Sequence, residues 1–204
     1  MSSLNLAGVF TDALTEHLTI IRQLETQQDS FERAAILITN SLLRGNKVLW
    51  CGNGGSAADA QHLAAELVGR FNHPRAALAS IALTTNTSVL TAIANDFGFD
   101  EVYERQVEAL CQPGDVLVGI STSGNSRNVC AALQKARELR AATVVMTGNS
   151  GMRMASLADA CIRVPSADTA RVQEAHILFG HVLCQWVELA SCINQAVSNG
   201  GSTR

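Results

Sequence analysis

Five short apolar runs, separated by segments of helix length, constrain the fold of this chain more than any other feature. They occupy residues 47–51, 80–84, 116–120, 143–147 and 160–164, and most are followed directly by Gly, Ser or Pro. Strands that alternate with helices form a parallel sheet that is covered by helices on both faces. The sequence therefore predicts an α/β fold with a doubly wound, five-stranded parallel sheet.

Segments with helical periodicity flank these runs. Apolar residues recur at spacings of three and four over residues 6–43, with a break near 27–30, which predicts two N-terminal helices. Residues 169 to about 196 are predicted to form one long C-terminal helix. We divide the chain into an N-terminal helical segment, 1–45, a domain of residues 46–197 and a flexible tail, 198–204.

Composition limits the classes of partner. The chain has 204 residues, 47% of them hydrophobic, a net charge of −3 and 4% aromatic residues, which does not indicate a nucleic-acid surface or a membrane-attracted face. The first residues lack a basic start followed by an apolar block, and no run is predicted to span a bilayer. We expect a cytoplasmic protein that binds a small molecule, and neither nucleic acid nor a membrane.

The third apolar run leads into a turn that is dense in hydroxyl groups. Ser121, Thr122, Ser123 and Ser126 occupy four of six positions before a helical segment. The unpaired N–H groups and the dipole at a helix start favour an anion, and hydroxyl donors add to that preference. Because the turn lacks the lysine of the GxxxxGK[ST] motif, we expect a single phosphate on a small metabolite. The alternative is that the hydroxyl groups only cap the helix.

A second turn of this kind follows the first apolar run. Residues 53–56 read Asn-Gly-Gly-Ser and precede another helical segment. Ligands of open parallel sheets bind beyond the carboxyl ends of the strands, so the two turns are expected to share one ligand. Residues 52–57 also match the dinucleotide fingerprint GxGxx[GA], but residues 76–86 contain no Asp or Glu that would bind a ribose. We therefore expect no nucleotide.

Ionisable residues on two predicted helices are candidates for chemistry. His62 and Glu66 are four residues apart, so their side chains share one helix face and could transfer protons, bind a metal or form an ordinary solvated pair. Gln173 and His181 are separated by a rise of about 12 Å along their helix. One ligand can contact both residues only if their side chains extend towards it from above and below, or if the two residues come from different subunits. Asp96 either caps the next helix or contacts a substrate hydroxyl.

Five motifs in this order resemble those of one family. They are GNGGS at 52–56, HxxxE at 62–66, NDFGF at 95–99, GISTSGNS at 119–126, and RxQ at 171–173 followed by His181. Together they resemble the phosphoheptose isomerases, also called sedoheptulose 7-phosphate isomerases, over about residues 5–197. The resemblance implies the three-layer sugar isomerase (SIS) fold, with N-terminal helices and a long C-terminal helix around the parallel sheet.

The resemblance also implies an activity. Family members interconvert sedoheptulose 7-phosphate and D-glycero-D-manno-heptose 7-phosphate by proton transfer through an enediolate, an early step towards activated heptose for surface polysaccharide such as lipopolysaccharide. It further implies a homotetramer, with active sites at subunit contacts and the N-terminal helices packed on neighbouring subunits.

Residue roles follow from the same resemblance. Glu66 and His181 are expected to be the catalytic acid/base pair, and one zinc ion per subunit is expected on His62, Glu66, Gln173 and His181. Substrate contacts are expected from Asn53, Gly54, Gly55, Ser56, Glu66, Asn95, Asp96, Ser121, Thr122, Ser123, Ser126 and Gln173.

Two loops depart from the family pattern. Many relatives carry Arg-Pro-x-x-Pro after the match to Gly69-Arg70, where residues 71–79 here read FNHPRAALA. The relatives' TGxDGG is here TGNSGM, at 147–152. Either change could alter substrate preference.

Three alternative functions remain open from the sequence. One is a non-enzymatic protein of the same fold that binds a replication initiator, in which the residues matching Glu66 and His181 are replaced; this chain retains both. Another is a sugar-phosphate-sensing module of a DNA-binding protein, although the sequence shows no helix-turn-helix extension. The last is an isomerase for another ketose phosphate.

Overall fold

The computed structural model describes residues 5–200, with side chains described for residues 5–194. Five parallel strands form one sheet in the order β2-β1-β3-β4-β5. The strands are β1 (Val48–Gly52), β2 (Ser80–Ala82), β3 (Val116–Ser121), β4 (Ala142–Thr147) and β5 (Ala160–Arg163). All five lie where the sequence predicts them, and the doubly wound parallel sheet is confirmed.

Helices connect the strands and cover the sheet. They are α1 (Leu6–Gln23), α2 (Gln28–Leu43), α3 (Gly55–Val68), α4 (Thr87–Asp96), α5 (Glu104–Leu110), α6 (Arg127–Glu138), α7 (Met152–Ala155) and α8 (Thr169–Gly200). The predicted break in the N-terminal helices is a turn of 3-10 helix, Leu24–Gln27, slightly earlier than residues 27–30.

The alternation of side chains along buried strands creates two cores. Val48 and Trp50 of β1 face a cluster shared with α2, α3 and α8, whereas Leu49 and Cys51 face a second cluster shared with α5 and α6. Successive residues of a strand point to opposite faces of the sheet, so a strand that is apolar throughout serves both cores. The result is the predicted three-layer arrangement.

The strand order brings the two predicted turns together. The chain moves from β1 outward to β2 and then returns to pair β3 with the other side of β1, where Gly52 lies opposite Ile120. The carboxyl ends of β1 and β3 are therefore neighbours at the point where the winding reverses, which is where open α/β sheets bind ligands.

The C-terminal helix is longer than predicted. It continues to Gly200 rather than ending near residue 196, so the first part of the predicted tail is helical. The remainder of that tail, 201–204, lies outside the described residues. By length and composition alone, the stretch Thr169–Asn194 is long and apolar enough to cross a membrane. This differs from our expectation that no run in the chain could span a bilayer. However, α8 packs against α1, α2, α3 and β4, as a core helix does.

Candidate active site

The two turns line one cleft of about 330 Å³ at the carboxyl edge of the sheet. Its walls include nine of the predicted substrate-binding residues: Asn53, Gly54, Gly55, Ser56, Ser121, Thr122, Ser123, Ser126 and Gln173. Ile120 and Thr169 complete the lining, and the sequence reasoning did not single out either. We call this cleft the phosphate cradle, because it lies at the N-termini of both α3 and α6.

The hydroxyl groups of the cradle bond to one another instead of capping α6. The Ser121 hydroxyl lies 2.9 Å from that of Ser126 and 3.3 Å from that of Ser123. Ser126 is the N-cap residue of α6, yet its side chain makes no capping hydrogen bond within the described part of the chain. The capping interpretation therefore does not explain these hydroxyl groups. They are arranged as a cluster of donors beside a helix start, which suits a phosphate.

Two asparagines join the turns. The Asn53 amide nitrogen donates to the Asn128 side-chain oxygen, and the Asn128 amide nitrogen donates back to Asn53, each at 2.9 Å. Asn128 also accepts from the N–H of Val129 and is only 3% exposed. The pair fixes the turn after β1 to the first turn of α6. The sequence gave no sign of Asn128's role, because the pairing joins residues 75 positions apart.

The altered loop at 147–152 lies directly beneath the cradle. The N–H of Gly148 donates to the carbonyl of Thr122 at 3.1 Å, and the N–H of Met154 donates to the carbonyl of Gly124, also at 3.1 Å. A Cβ on Gly151 would lie 1.9 Å from the Thr147 hydroxyl, so the backbone packs tightly there. The loop thus supports the backbone of the hydroxyl turn.

Gln173 reaches the cradle from α8. A Cβ on Gly55 would lie 2.2 Å from the amide nitrogen of Gln173, so the glycine at the start of α3 lets this side chain pack against the backbone. Gln173 is thereby held at the phosphate cradle, a little over two turns of α8 before His181.

A second cluster of predicted residues lies farther along α3 and α8. The Nε2 atoms of His62 and His181 are 2.9 Å apart, and Oε1 of Glu66 is 3.6 Å from Nε2 of His62. The His62 side chain is 48% exposed and that of Glu66 is 22% exposed, so the cluster is open to a ligand. Two imidazoles and a carboxylate in this arrangement can accept and return protons.

Close packing between α3 and α8 places these residues together. A Cβ on Gly180 would lie 2.5 Å from Cδ1 of Leu63, so the glycine allows the two helices to approach at this point. Gly180 precedes His181, and Leu63 follows His62. The helix contact therefore sets the distance between the two imidazoles.

Asp59 is an acidic residue at this cluster that sequence reasoning missed. It precedes His62 by three residues on α3, and its Oδ2 is buried with no hydrogen-bond partner among the described residues. Burial raises the pKa of Asp59, and the nearby imidazoles of His62 and His181 oppose that shift. Its i,i+3 spacing from His62 is a signal that could have found it.

Three predicted substrate contacts do not line the cradle: Glu66, which lies at the second cluster, and Asn95 and Asp96. Asn95 and Asp96 are exposed at the end of α4, where the Asn95 amide donates to the Asp96 carboxylate at 2.8 Å. Asp96 is the last residue of α4 and does not cap the following helix. Their roles in substrate binding stay predictions.

The donor types at the second cluster fit a zinc ion. Imidazole nitrogen and carboxylate oxygen are common zinc ligands, and His62 and His181 present their Nε2 atoms to the same point. However, within residues 5–194 no group of three or more His, Cys, Asp and Glu side chains is close enough to form a ready-made metal site. Gln173 lies at the cradle instead.

Comparison with known proteins agrees with this geometry. A family model for the SIS domain matches residues 10–148. The phosphoheptose isomerase of Aliarcobacter butzleri is 52% identical over 182 residues, which cover 89% of this chain and 96% of that protein. The chain belongs to the phosphoheptose isomerase family. Its relative from Aquifex aeolicus is 58% identical over 156 residues, covering 76% of this chain and 82% of that protein.

The chain also has the fold of the phosphoheptose isomerases. A solved structure of phosphoheptose isomerase from Neisseria gonorrhoeae superposes with a TM-score of 0.85 at 44% identity, covering 90% of this chain and 99% of that one. The predicted SIS fold is therefore confirmed over nearly the whole length, including the N-terminal helices.

Proposed function

We propose that this chain is an aldose-ketose isomerase that interconverts sedoheptulose 7-phosphate and D-glycero-D-manno-heptose 7-phosphate. The observation that carries the proposal is the arrangement of two clusters along α3 and α8. A phosphate cradle lies at one end, and a His-Glu-His cluster lies about two turns farther on. Membership of the phosphoheptose isomerase family supports the same conclusion.

The cradle binds and orients the sugar phosphate. Hydroxyl groups of Ser121, Thr122, Ser123 and Ser126, together with N–H groups at the starts of α3 and α6, donate to the phosphate oxygens. Gln173 contacts the sugar next to the phosphate. This binding leaves the carbonyl end of the sugar free to extend towards the second cluster.

Glu66 and His181 carry out the proton transfers. Moving the carbonyl from C2 to C1 requires removal of a proton from C1, an enediolate, and return of a proton to C2. The Glu66 carboxylate is the base that removes and returns this proton. His181 donates a proton to the carbonyl oxygen on C2 and takes up the proton that leaves the C1 hydroxyl as the new carbonyl forms, and His62 holds the His181 ring in place through the contact at Nε2.

We also propose that one zinc ion binds per subunit. His62, Glu66 and His181 would hold it; Gln173, the fourth ligand that the family resemblance implies, lines the phosphate cradle. A bound zinc ion would act as a Lewis acid and stabilise negative charge on the substrate oxygens. Elemental analysis of protein purified without chelator checks this proposal, since about one zinc per subunit is expected. Full activity with stoichiometry near zero would contradict it.

The proposed assembly is a homotetramer in the cytoplasm. Exposed apolar side chains form stripes on α1 and α8 that a neighbouring subunit could cover: Leu6, Phe10, Leu14 and Leu18 on α1, and Leu178, Val182, Trp186, Leu189 and Ile193 on α8. None of the described residues of α1 is buried within the chain. An unpartnered apolar helix face favours association.

Sedimentation measurements test the assembly. We expect the mass of four chains, and we expect Trp186→Glu to shift the protein to smaller species because it places a charge in the apolar stripe. An exposed glutamine on α6 provides the control, so Gln134→Glu should leave the assembly intact. A monomeric wild type would contradict the proposal.

Direct turnover tests the activity. Purified protein incubated with sedoheptulose 7-phosphate in D₂O should produce the aldoheptose 7-phosphate, with deuterium at C2 to the extent that the proton held by Glu66 exchanges with solvent before it returns to the enediolate. NMR follows both the anomeric signal and the loss of the C2 proton. Absence of turnover with zinc supplied would overturn the proposal. Faster turnover of another ketose phosphate would reassign the substrate.

The non-enzymatic alternative is not favoured. The family relatives that match this chain are named as isomerases, and the chain retains Glu66 and His181. A protein that only binds a replication initiator would not need these residues.

A further inference from the structure

A buried carboxylate on α8 holds the loop that follows α3. Glu188 accepts hydrogen bonds from the N–H of Phe71 at 2.9 Å, of Asn72 at 2.7 Å and of His73 at 2.9 Å. Its side chain is only 1% exposed. Three N–H donors satisfy most of the hydrogen-bonding capacity of the buried carboxylate.

A buried arginine completes this arrangement. Nε of Arg75 lies 3.3 Å from Oε1 of Glu188, and the arginine side chain is fully buried. Its guanidinium also donates to the backbone carbonyls of Glu66 and Leu67, each at 2.8 Å, near the end of α3. The carbonyls of the last helical turn lack partners within the helix, so Arg75 supplies them. We call Glu188, Arg75 and the backbone of residues 71–73 the Glu188 clamp.

The clamp contacts both members of the proposed acid/base pair. Arg75 bonds to the main chain of Glu66 itself. Glu188 fixes the backbone of Phe71, whose ring centroid lies 5.7 Å from that of His181. Neither clamp side chain contacts the cradle, where the phosphate is expected to bind.

Contacts between α3 and α8 occur in step along their length. Gly55 meets Gln173 at the cradle, His62 meets His181 at the second cluster, and the loop after α3 meets Glu188. The two helices therefore run side by side in the same direction. The clamp closes the end of the pair that is distant from the phosphate.

A buried ion pair between two helices carries a large desolvation penalty. A buried pair must recover the desolvation of both charges, and apolar side chains of similar size often stabilise a protein as well. Unlike apolar side chains, Glu188 and Arg75 make directional contacts, because each of their hydrogen bonds fixes the position of one backbone atom of the loop or of α3.

We propose that Glu188 and Arg75 are positioning residues for the isomerase reaction, which hold Glu66 and His181 at their working distance. This inference rests on the proposed function. It predicts that loss of the clamp lowers kcat and leaves phosphate binding in place, whereas a purely structural ion pair would affect stability alone.

The chain contains a matched control, Asp115, that does not contact the clamp. Asp115 is a carboxylate with a 1% exposed side chain that accepts from the N–H of Gln112 at 2.7 Å, from the N–H of Lys47 at 3.0 Å and from the Lys47 ammonium at 2.6 Å. It precedes β3 and so lies at the amino edge of the sheet, away from the cradle. Asp115 thus has the same kind of partners as Glu188 without the contact to the acid/base pair.

Steady-state kinetics of Glu188→Gln and Asp115→Asn test the proposal, at a temperature at which circular dichroism shows both variants folded. We expect kcat of Glu188→Gln to fall by about tenfold or more, with KM for sedoheptulose 7-phosphate within about twofold of wild type. Asp115→Asn should keep kcat near the wild-type value even where it lowers stability.

The outcomes separate the two proposals. If Glu188→Gln loses no more kcat than Asp115→Asn, the positioning role is overturned although the isomerase function stands. If the wild type shows no turnover, the proposed function fails first. If Glu188→Gln does not fold, Arg75→Lys provides the same comparison, because it keeps the charge but loses the fork that reaches Glu66 and Leu67.

Discussion

The Nε2 atoms of His62 and His181 lie 2.9 Å apart although 119 residues separate them in the chain. Neither histidine belongs to a local motif that would place it beside the other. The contact depends on two helices that pack at Leu63 and Gly180, next to the histidines themselves. The close packing at Gly180 therefore contributes to the short distance between the two histidines.

Substituting this glycine should separate the two histidines. We expect Gly180→Ala to lower kcat by about tenfold or more, because the new methyl group would overlap Leu63 and push α8 away from α3. Leu63→Val removes the overlapping Cδ atoms, so the double variant should recover most of the lost kcat. Steady-state kinetics check this. Equal kcat in wild type and Gly180→Ala would show that the helix spacing is not critical.

Removal of the acid/base groups should affect chemistry more than binding. Glu66→Gln and His181→Asn are each expected to lower kcat by about 10² to 10⁴-fold, which is the usual contribution of general acid–base catalysis. KM should change little, because the phosphate cradle is untouched. An exposed residue away from both clusters serves as the control, and Glu108→Gln should keep wild-type kcat. Substantial turnover by either active-site variant would remove that residue from the mechanism.

Loss of a cradle hydroxyl should show the opposite pattern. Ser121→Ala is expected to raise KM by about tenfold or more with kcat within about twofold of wild type, because a hydrogen bond to a charged group contributes about 1.5–3 kcal/mol. Ser156 bonds only within its own exposed turn, so Ser156→Ala is the control. Inorganic phosphate should inhibit the wild type more strongly than Ser121→Ala. An unchanged KM would place the phosphate elsewhere.

A buried histidine on α8 should make the protein less stable in mild acid. His176 is fully buried, and burial lowers its pKa to about 4, although the backbone of Thr147 acts in the opposite direction. Below pH 6.5 the unfolded chain takes up a proton that the folded chain does not, so the free energy of unfolding falls as the pH falls from 6.5 towards 4. This residue should remove about 2 kcal/mol between pH 7.5 and 5.0.

Urea unfolding at these two pH values measures the effect at one protein concentration. The pH dependence should shrink by about 2 kcal/mol in His176→Leu. A buried apolar residue of the same helix provides the control, since Phe179→Leu removes no titratable group and should keep the wild-type dependence. If the free energy of unfolding of His176→Leu and of the wild type depends equally on pH, His176 is not the group responsible for the loss of stability in mild acid.

Much of the fold could be predicted because its signals are local. Each strand is an apolar run that ends at a turn, so residues such as Val48 and Val116 are assigned without knowledge of their partners. The phosphate cradle is predictable for the same reason, since Ser121 to Ser126 are adjacent in sequence and the parallel sheet brings Asn53 to Ser56 alongside.

The remainder of the site depends on contacts between distant residues. Asn128 becomes part of the cradle only through Asn53, and Glu188 becomes a partner of the loop after α3 only because α8 lies beside α3. No periodicity or motif marks such pairs. Buried polar residues on an apolar helix signal that partners exist, but they do not identify them.

The structure shows what holds the loop 71–79, which departs from the family pattern. The loop 71–79 keeps one proline, Pro74, but lacks the Arg-Pro-x-x-Pro pattern of many relatives, whose two prolines would restrict the backbone more strongly. Here the backbone of residues 71–73 is held by the carboxylate of Glu188 instead. The loop geometry therefore depends on a side chain more than a hundred residues away.

The parallel packing of α3 and α8 also fixes the distance between the phosphate cradle and the second cluster. Gln173 and His181 belong to one continuous helix, so the rise of about 12 Å between them cannot change without bending that helix. A substrate anchored by its phosphate at the first position must span most of this distance before its carbonyl group meets the second. In the proposed mechanism, the spacing of the two clusters therefore sets a minimum length for the sugar phosphate.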